Sequence, residues 1–145
     1  MSTQRLQKGG RRPIFACRRF ASGPDRALGR LWALAFEPNV EVLQLSRRLS
    51  ATHKVGLFTN NGPALRLVLG ELLGDVSHFQ PIVFSCEIAC TKPYGPAFDA
   101  AARAAHSDDL LLIDDSAANC EAAVRSGWRA VQYRPTERLG LRLGV

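Results

Sequence analysis

The stretch Leu-Leu-Ile-Asp-Asp-Ser at residues 111–116 is an apolar run that ends in two adjacent carboxylates. A helix-like segment follows directly, with Ser116 as its predicted cap and Gly127 as its predicted end. Open α/β sheets bind ligands at the carboxyl ends of their strands, so Asp114 and Asp115 are expected at a binding edge. Two neighbouring carboxylates on a strand tip need a positive charge, and Mg²⁺ prefers carboxylate oxygen.

Two more segments carry polar residues that belong with this acidic pair. Residues 55–61 read Val-Gly-Leu-Phe-Thr-Asn-Asn, an apolar run that ends in a hydroxyl and two amides. Lys92 precedes Pro93, which disfavours helical geometry at the lysine and so places it on a loop. A hydroxyl from Thr59, an ammonium from Lys92 and the acidic pair would together form a phosphate and metal site.

Short apolar runs alternate with amphipathic segments through most of the chain, which predicts strands that alternate with helices. The strands are predicted at 55–58, 81–84, 110–113 and 130–133. Helices are predicted to begin near Asn39, Pro63, Pro96 and Ser116. This alternation implies a parallel sheet with right-handed crossovers. We therefore predict an α/β fold, a Rossmann-like parallel sheet with flanking helices.

With these residues in this order, the chain resembles the haloacid dehalogenase-like (HAD) superfamily of hydrolases, in its branch with a helical cap. The resemblance runs from about Glu37 to Tyr133. Thr59 stands at the second motif of that family and Lys92 at the third. The fourth motif is matched by Asp114, Asp115, Ser116 and Asn119. The resemblance implies Mg²⁺-dependent hydrolysis of a small phosphorylated substrate through an aspartyl-phosphate.

The resemblance also implies a role for each matched residue. Thr59 and Lys92 are the candidate catalytic residues. Asn60 and Asn61 are the candidate substrate-binding residues. The candidate metal ligands are Asp115 and, beside it, Asp114, with Ser116 and Asn119 as their supports. An alternative remains for the acidic pair, because carboxylates in the first turn of a helix are stabilised by its dipole without any metal. Thr59 could likewise simply close a strand and help to cap the next helix.

The first motif of the family, a strand followed by Asp-x-Asp, has no counterpart in this chain. The only acidic residue before Glu37 is Asp25, and no apolar run leads into it. We therefore expect a core that is N-terminally incomplete: a fragment, a product of a wrong start, or a degenerate relative. The hypothesis for function is a HAD-like phosphoester hydrolase that is weakly active or inactive. The alternative is a non-catalytic HAD-like domain, either a pseudoenzyme or a binding module.

Charge divides the chain into a basic leader and a near-neutral domain. Of its 145 residues, the first 30 hold eight basic and one acidic side chain, and the rest hold eleven basic and twelve acidic ones. We predict a disordered leader at 1–30, a HAD-like core at 31–135 with Trp32 and Phe36 as remnants of a cap, and a tail at 136–145. The leader also fits a transit peptide or a nucleic-acid-binding arm, but the neutral core argues against a nucleic-acid partner.

Cysteines and histidines add no metal signature to this pattern. The four cysteines are Cys17, Cys86, Cys90 and Cys120, and no second pair completes a zinc site. We expect reduced, mostly buried thiols and a cytoplasmic protein. The three histidines, His53, His78 and His106, share no spacing and are each expected on the surface or in a loop. No apolar stretch reaches the roughly 20 residues of a membrane span.

Overall fold

The computed structural model describes residues 25–135 and 139–144. In these residues helices and strands alternate as predicted. In chain order the elements are α1 (Arg26–Ala33), α2 (Val40–Leu49), β1 (Val55–Thr59), α3 (Pro63–Leu67), α4 (Leu69–Leu73), β2 (Phe79–Phe84), α5 (Ser85–Ile88), α6 (Gly95–Ala105), β3 (Leu111–Asp114), α7 (Ala117–Arg125), β4 (Arg129–Gln132) and α8 (Leu139–Leu143). No helix in the described ranges is long and apolar enough to cross a bilayer.

The strands pair in parallel, which confirms the predicted fold class. β1 pairs with β2, and β3 pairs with β4. Among the described residues these are two two-stranded sheets, whereas the alternation of elements predicted one continuous sheet. No ladder of backbone hydrogen bonds joins β1 to β3. Side chains connect them instead.

Phe98 of α6 is the main apolar connection between the two sheets. Its ring is fully buried and meets Phe58 of β1 edge to face, with the ring centroids 5.7 Å apart. On its other side it meets the ring of Trp128 at 5.5 Å. Phe98 also belongs to a buried cluster with Leu112 of β3 and with Ala123 of α7. A single α6 side chain thus packs against residues of both halves.

Helix α1 crosses α3 at very close range. A Cβ atom on Gly29 would lie 2.4 Å from the backbone oxygen of Ala64, so only glycine fits at this crossing. Two ion pairs hold the same helix to α4, because Arg26 and Arg30 both bind Glu71, at 2.6 Å and 2.7 Å. Asp25 caps the start of α1 by accepting a hydrogen bond from a backbone N–H.

The predicted leader and the predicted tail each include some helical residues in the described part of the chain. The predicted leader extended to residue 30, but Arg26–Arg30 lie in α1, which the Asp25 cap and the ion pairs to Glu71 stabilise. The earlier part of that prediction, residues 1–24, lies outside the described residues. The predicted tail contains helix α8, because Leu139 packs into the protein and is only 2% exposed.

Two further local features were not predicted. The apolar stripe after Pro63 predicted one helix, but the backbone leaves helical geometry at Val68 and divides the segment into α3 and α4. The side chain of Val68 is 1% exposed, so burial of this β-branched residue accompanies the break. The single turn α5 ends at Ala89 in the left-handed conformation and is too short for a periodic signal.

Candidate functional site

Lys92 connects the carboxyl ends of β1 and β3. It lies in the loop between α5 and α6, after a strand and a single helical turn. Its Nζ atom donates hydrogen bonds to the backbone oxygen of Phe58, at 2.8 Å, and to Oδ2 of Asp114, at 2.6 Å. The structure therefore brings Lys92 together with the penultimate residue of β1 and the last residue of β3.

This ion pair is shielded from water. The side chains of Lys92 and Asp114 are each 8% exposed, and the ammonium also lies 4.9 Å from the centre of the Phe58 ring. A lysine ammonium carries three N–H donors. Two have partners among the described residues, which leaves the third for a bound anion.

The carboxylate of Asp114 accepts hydrogen bonds at both of its oxygens. Its Oδ1 atom accepts from the backbone N–H of Ser116 and from Nδ2 of Asn119, both at 2.9 Å. Burial by itself would raise the pKa of Asp114. Hydrogen bonds from Lys92, Asn119 and the Ser116 N–H outweigh burial, so the pKa lies below its ordinary value. Asp114 is therefore a structural anion at neutral pH.

Asp115 differs from its neighbour in being exposed and unengaged. Its carboxylate makes no hydrogen bond or ion pair with another described residue, although its backbone oxygen accepts from Nε2 of Gln132 at 3.0 Å. Of the acidic pair, Asp115 is the carboxylate available to a cation. Across residues 25–135 and 139–144, no cluster of three or more acidic, histidine or cysteine groups could hold a metal ion. A Mg²⁺ ion here would need water and phosphate oxygens as well, which is its common coordination.

The side-chain amide of Asn61 orients the hydroxyl of Thr59. Thr59 Oγ1 accepts a hydrogen bond of 2.7 Å from Nδ2 of Asn61, so its own proton can be donated elsewhere. Asn61 in turn accepts from Nε1 of Trp32 at 3.4 Å. Asn61 thus links the strand end to α1, while the hydroxyl of Thr59 keeps a donor for a ligand.

Asn60 is exposed, and its amide bonds to the backbone of the loop that carries Lys92. Its Oδ1 atom accepts from the backbone N–H of Lys92 at 2.9 Å, and its Nδ2 atom donates to the backbone oxygen of Lys92 at 2.8 Å. Both polar atoms of the amide are therefore engaged by one residue. These contacts position Lys92, and the substrate contact of Asn60 stays a prediction.

Supporting residues surround Asp114 at the start of α7. Ser116 caps the helix, its Oγ accepting from the backbone N–H of Asn119 at 3.4 Å. Sequence reasoning missed Cys120, whose thiol donates to the backbone oxygen of Asp114 at 3.5 Å. Burial, followed by the charge of Asp114, raises the pKa of this thiol. Sequence reasoning also missed the backbone oxygen of Phe58 that accepts from Lys92. Every residue has a backbone oxygen, so the sequence gives no sign of which one serves as an acceptor.

The three histidines lie together at the other end of β1 and β2. His53, His78 and His106 line a cavity of about 490 Å³, together with Lys54. Oγ of Ser46 lies 2.9 Å from Nε2 of His78, in a hydrogen bond, and 2.8 Å from the backbone oxygen of Leu43. The Nδ1 atom of His78 is buried without a partner in the described residues. Sequence spacing could not reveal this grouping, because distant loops bring the histidines together.

Comparison with solved structures shows the fold of the chain. A HAD family enzyme from Bacteroides thetaiotaomicron, an aspartate-to-alanine mutant in complex with magnesium and inorganic phosphate, superimposes with a TM-score of 0.66. The two sequences are 21% identical, and the match covers 77% of this chain and 62% of that one. This chain therefore spans less than two thirds of the length of that enzyme.

A second solved structure has a similar fold. It is an uncharacterized protein from Corynebacterium glutamicum, with a TM-score of 0.55, 26% identity, and coverage of 71% of this chain and 76% of that one. No protein-family model matches the chain, and no curated protein matches it. The chain has a HAD-like α/β fold, with parallel strands and flanking helices.

Proposed function

We propose that this chain is the core of a HAD-like, Mg²⁺-dependent phosphoester hydrolase, with weak or no turnover of its own. The buried Lys92–Asp114 pair at the carboxyl ends of β1 and β3 carries this proposal. The Lys92 ammonium keeps one N–H donor for an anion, the Thr59 hydroxyl keeps its proton to donate, and the Asp115 carboxylate is exposed. The likeness to an enzyme crystallised with magnesium and phosphate supports the same class of ligand.

Each residue has a distinct task in this proposal. Lys92 would hold a phosphoryl oxygen through its third N–H, in a position fixed by Asp114 and Asn60. Thr59 would donate its hydroxyl to a second phosphoryl oxygen. Asp115 would hold Mg²⁺, which when bound would neutralise charge on the phosphoryl group. The substrate would be a small phosphorylated molecule, because the phosphoryl group is the part that these residues recognise.

We identify no carboxylate among the described residues that could act as the attacking nucleophile. Asp25 caps α1, and Asp114 is held by three donors. Asp115 is free, but the proposal assigns it to the metal. Without a nucleophile, positioning and charge stabilisation recover only part of the rate. This gap favours the second candidate function, a HAD-like domain that binds phosphate and Mg²⁺ without turnover.

The test combines binding with turnover in the full chain. We expect inorganic phosphate to bind in the presence of Mg²⁺, as measured by calorimetry, and Asp115→Asn to remove the Mg²⁺ dependence. Asp108→Asn is the matched control, since Asp108 is also exposed but lies outside this edge. Hydrolysis of p-nitrophenyl phosphate is expected to be slow or absent.

The outcomes separate the two candidates. Turnover that Asp115→Asn abolishes would make the chain an enzyme and require a nucleophile not identified above. Phosphate binding with background turnover in all variants would support the non-catalytic domain. A chain that binds neither phosphate nor Mg²⁺ would refute both. We further propose a cytoplasmic location, which the free thiols of Cys90 and Cys120 support.

A further inference from the structure

One face of the molecule exposes an unusual amount of apolar surface. Among the described residues, nine large hydrophobic side chains are exposed, and six of them fall between residues 28 and 40. These six form what we term the α1 face: Leu28 (50% exposed), Leu31 (67%), Trp32 (53%), Leu34 (82%), Phe36 (38%) and Val40 (63%). Monomeric proteins seldom leave such a cluster uncovered.

The α1 face points outward because the opposite side of the helix packs on α3 and binds α4. Gly29 seats the helix directly on the backbone of α3, and Arg26 and Arg30 bind Glu71 of α4. Leu28, Leu31 and Trp32 follow the three- and four-residue spacing of one helical face. The face cannot turn inward without breaking the close helix crossing and both ion pairs.

The size of the α1 face matches what a dimer requires. If a second copy covered all six side chains, the two copies together would bury on the order of 1,400 Å², which is within the range of specific interfaces. The aromatic members, Trp32 and Phe36, have ring centroids 6.4 Å apart and form one continuous patch. Aromatic side chains are enriched at interface centres.

Charge around the α1 face permits two copies to meet. Residues 25–40 hold two basic and two acidic side chains, so the segment is neutral. Hydrogen bonds from Arg30 and then Arg26 lower the pKa of Glu71 to about 2. Glu71 is therefore ionised at neutral pH, and the charges that border the face are compensated within each chain.

We infer that the α1 face is a homodimer interface, in which a second copy of this chain covers Leu31, Trp32 and Leu34. Trp32 also donates to Asn61, which orients the Thr59 hydroxyl. The interface therefore borders the carboxyl edge of β1. This inference does not depend on the proposed function, because it rests on exposure, area and charge alone.

Sedimentation equilibrium of the full chain between 2 and 200 μM tests the inference. We expect a dimer at the higher concentrations, with tryptophan emission moving to shorter wavelength as Trp32 leaves water. Leu31→Glu combined with Leu34→Glu should give a monomer up to 200 μM. Both positions are exposed in the single chain, so a folded protein with an unchanged circular dichroism spectrum is expected.

A matched control distinguishes association through this face from non-specific hydrophobic association. Val124 of α7 is 59% exposed and lies away from the α1 face in sequence, so Val124→Glu should leave the dimer intact. Leu28→Lys provides a second disruption if the double variant fails to fold. A wild-type chain that stays monomeric at 200 μM would overturn the inference. So would an assembly that survives both disruptions, or one that Val124→Glu weakens equally.

Discussion

The two ends of β1 and β2 both collect polar side chains, yet they differ in how those side chains are used. At the carboxyl end, Lys92 and Asp114 are buried and bonded to each other. At the amino end, His53 and His106 are exposed on a cavity wall, and His78 keeps a buried nitrogen without a partner in the described residues. Parallel strands gather residues at both ends. Among the described residues, only the carboxyl end pairs a buried ammonium with a buried carboxylate, and this ion pair distinguishes it as the candidate site.

Removing Lys92 should produce the largest effect of any single change at these two ends. Lys92→Met would leave the Asp114 carboxylate buried without its cation, so we expect the free energy of unfolding to fall by about 3 kcal/mol. Urea denaturation measures this. Lys54→Met is the matched control at the histidine end and should cost less than about 0.5 kcal/mol. Equal losses in the two variants would remove the distinction between the ends.

The pH dependence of stability should carry the signature of Asp114. Its folded pKa lies below the ordinary value, so the stability it contributes is fully present above the unfolded pKa of about 4. That contribution is lost as the pH falls through the lower folded pKa. We expect the difference in unfolding free energy between wild type and Asp114→Asn to shrink below pH 4. A difference that stays constant from pH 7 to pH 3 would contradict this assignment.

The histidine end should give the smallest effects. His53→Gln and His106→Gln change exposed side chains, so each should alter the free energy of unfolding by less than about 0.5 kcal/mol at pH 7. Neither should change phosphate binding at the carboxyl end, because both residues lie at the opposite end of the strands. A large loss in either variant would show that the cavity is organised by contacts beyond those described above.

The sequence predicted the convergence at the carboxyl end because parallel strands leave no alternative. An apolar run that ends at Thr59 and another that ends at Asp114 are expected at the same edge if both strands belong to one parallel sheet. In the structure the strands lie in two sheets, and Lys92 bonds to the carboxyl ends of both. The loop residue Lys92 then needs only to follow a neighbouring strand. The order of elements was sufficient for this inference, and the structure has that order.

Side-chain partners were harder to predict than positions. Asn60 engages the backbone of Lys92, a contact that depends on the path of a loop 32 residues away in the chain. The grouping of His53 with His106 likewise depends on where α6 ends. The break at Val68 could not be predicted from periodicity, since the apolar stripe continues through it. Contacts between distant segments account for the contacts of Asn60 and for the grouping of the histidines.

The crossing at Gly29 has a consequence for how this sequence can change over time. Ala64 presents a backbone oxygen there, not the flexible end of a side chain, so no rotamer change can make room for a methyl group. Position 29 has room only for the hydrogen side chain of glycine. A glycine at this position is therefore a marker for the same helix crossing in other sequences.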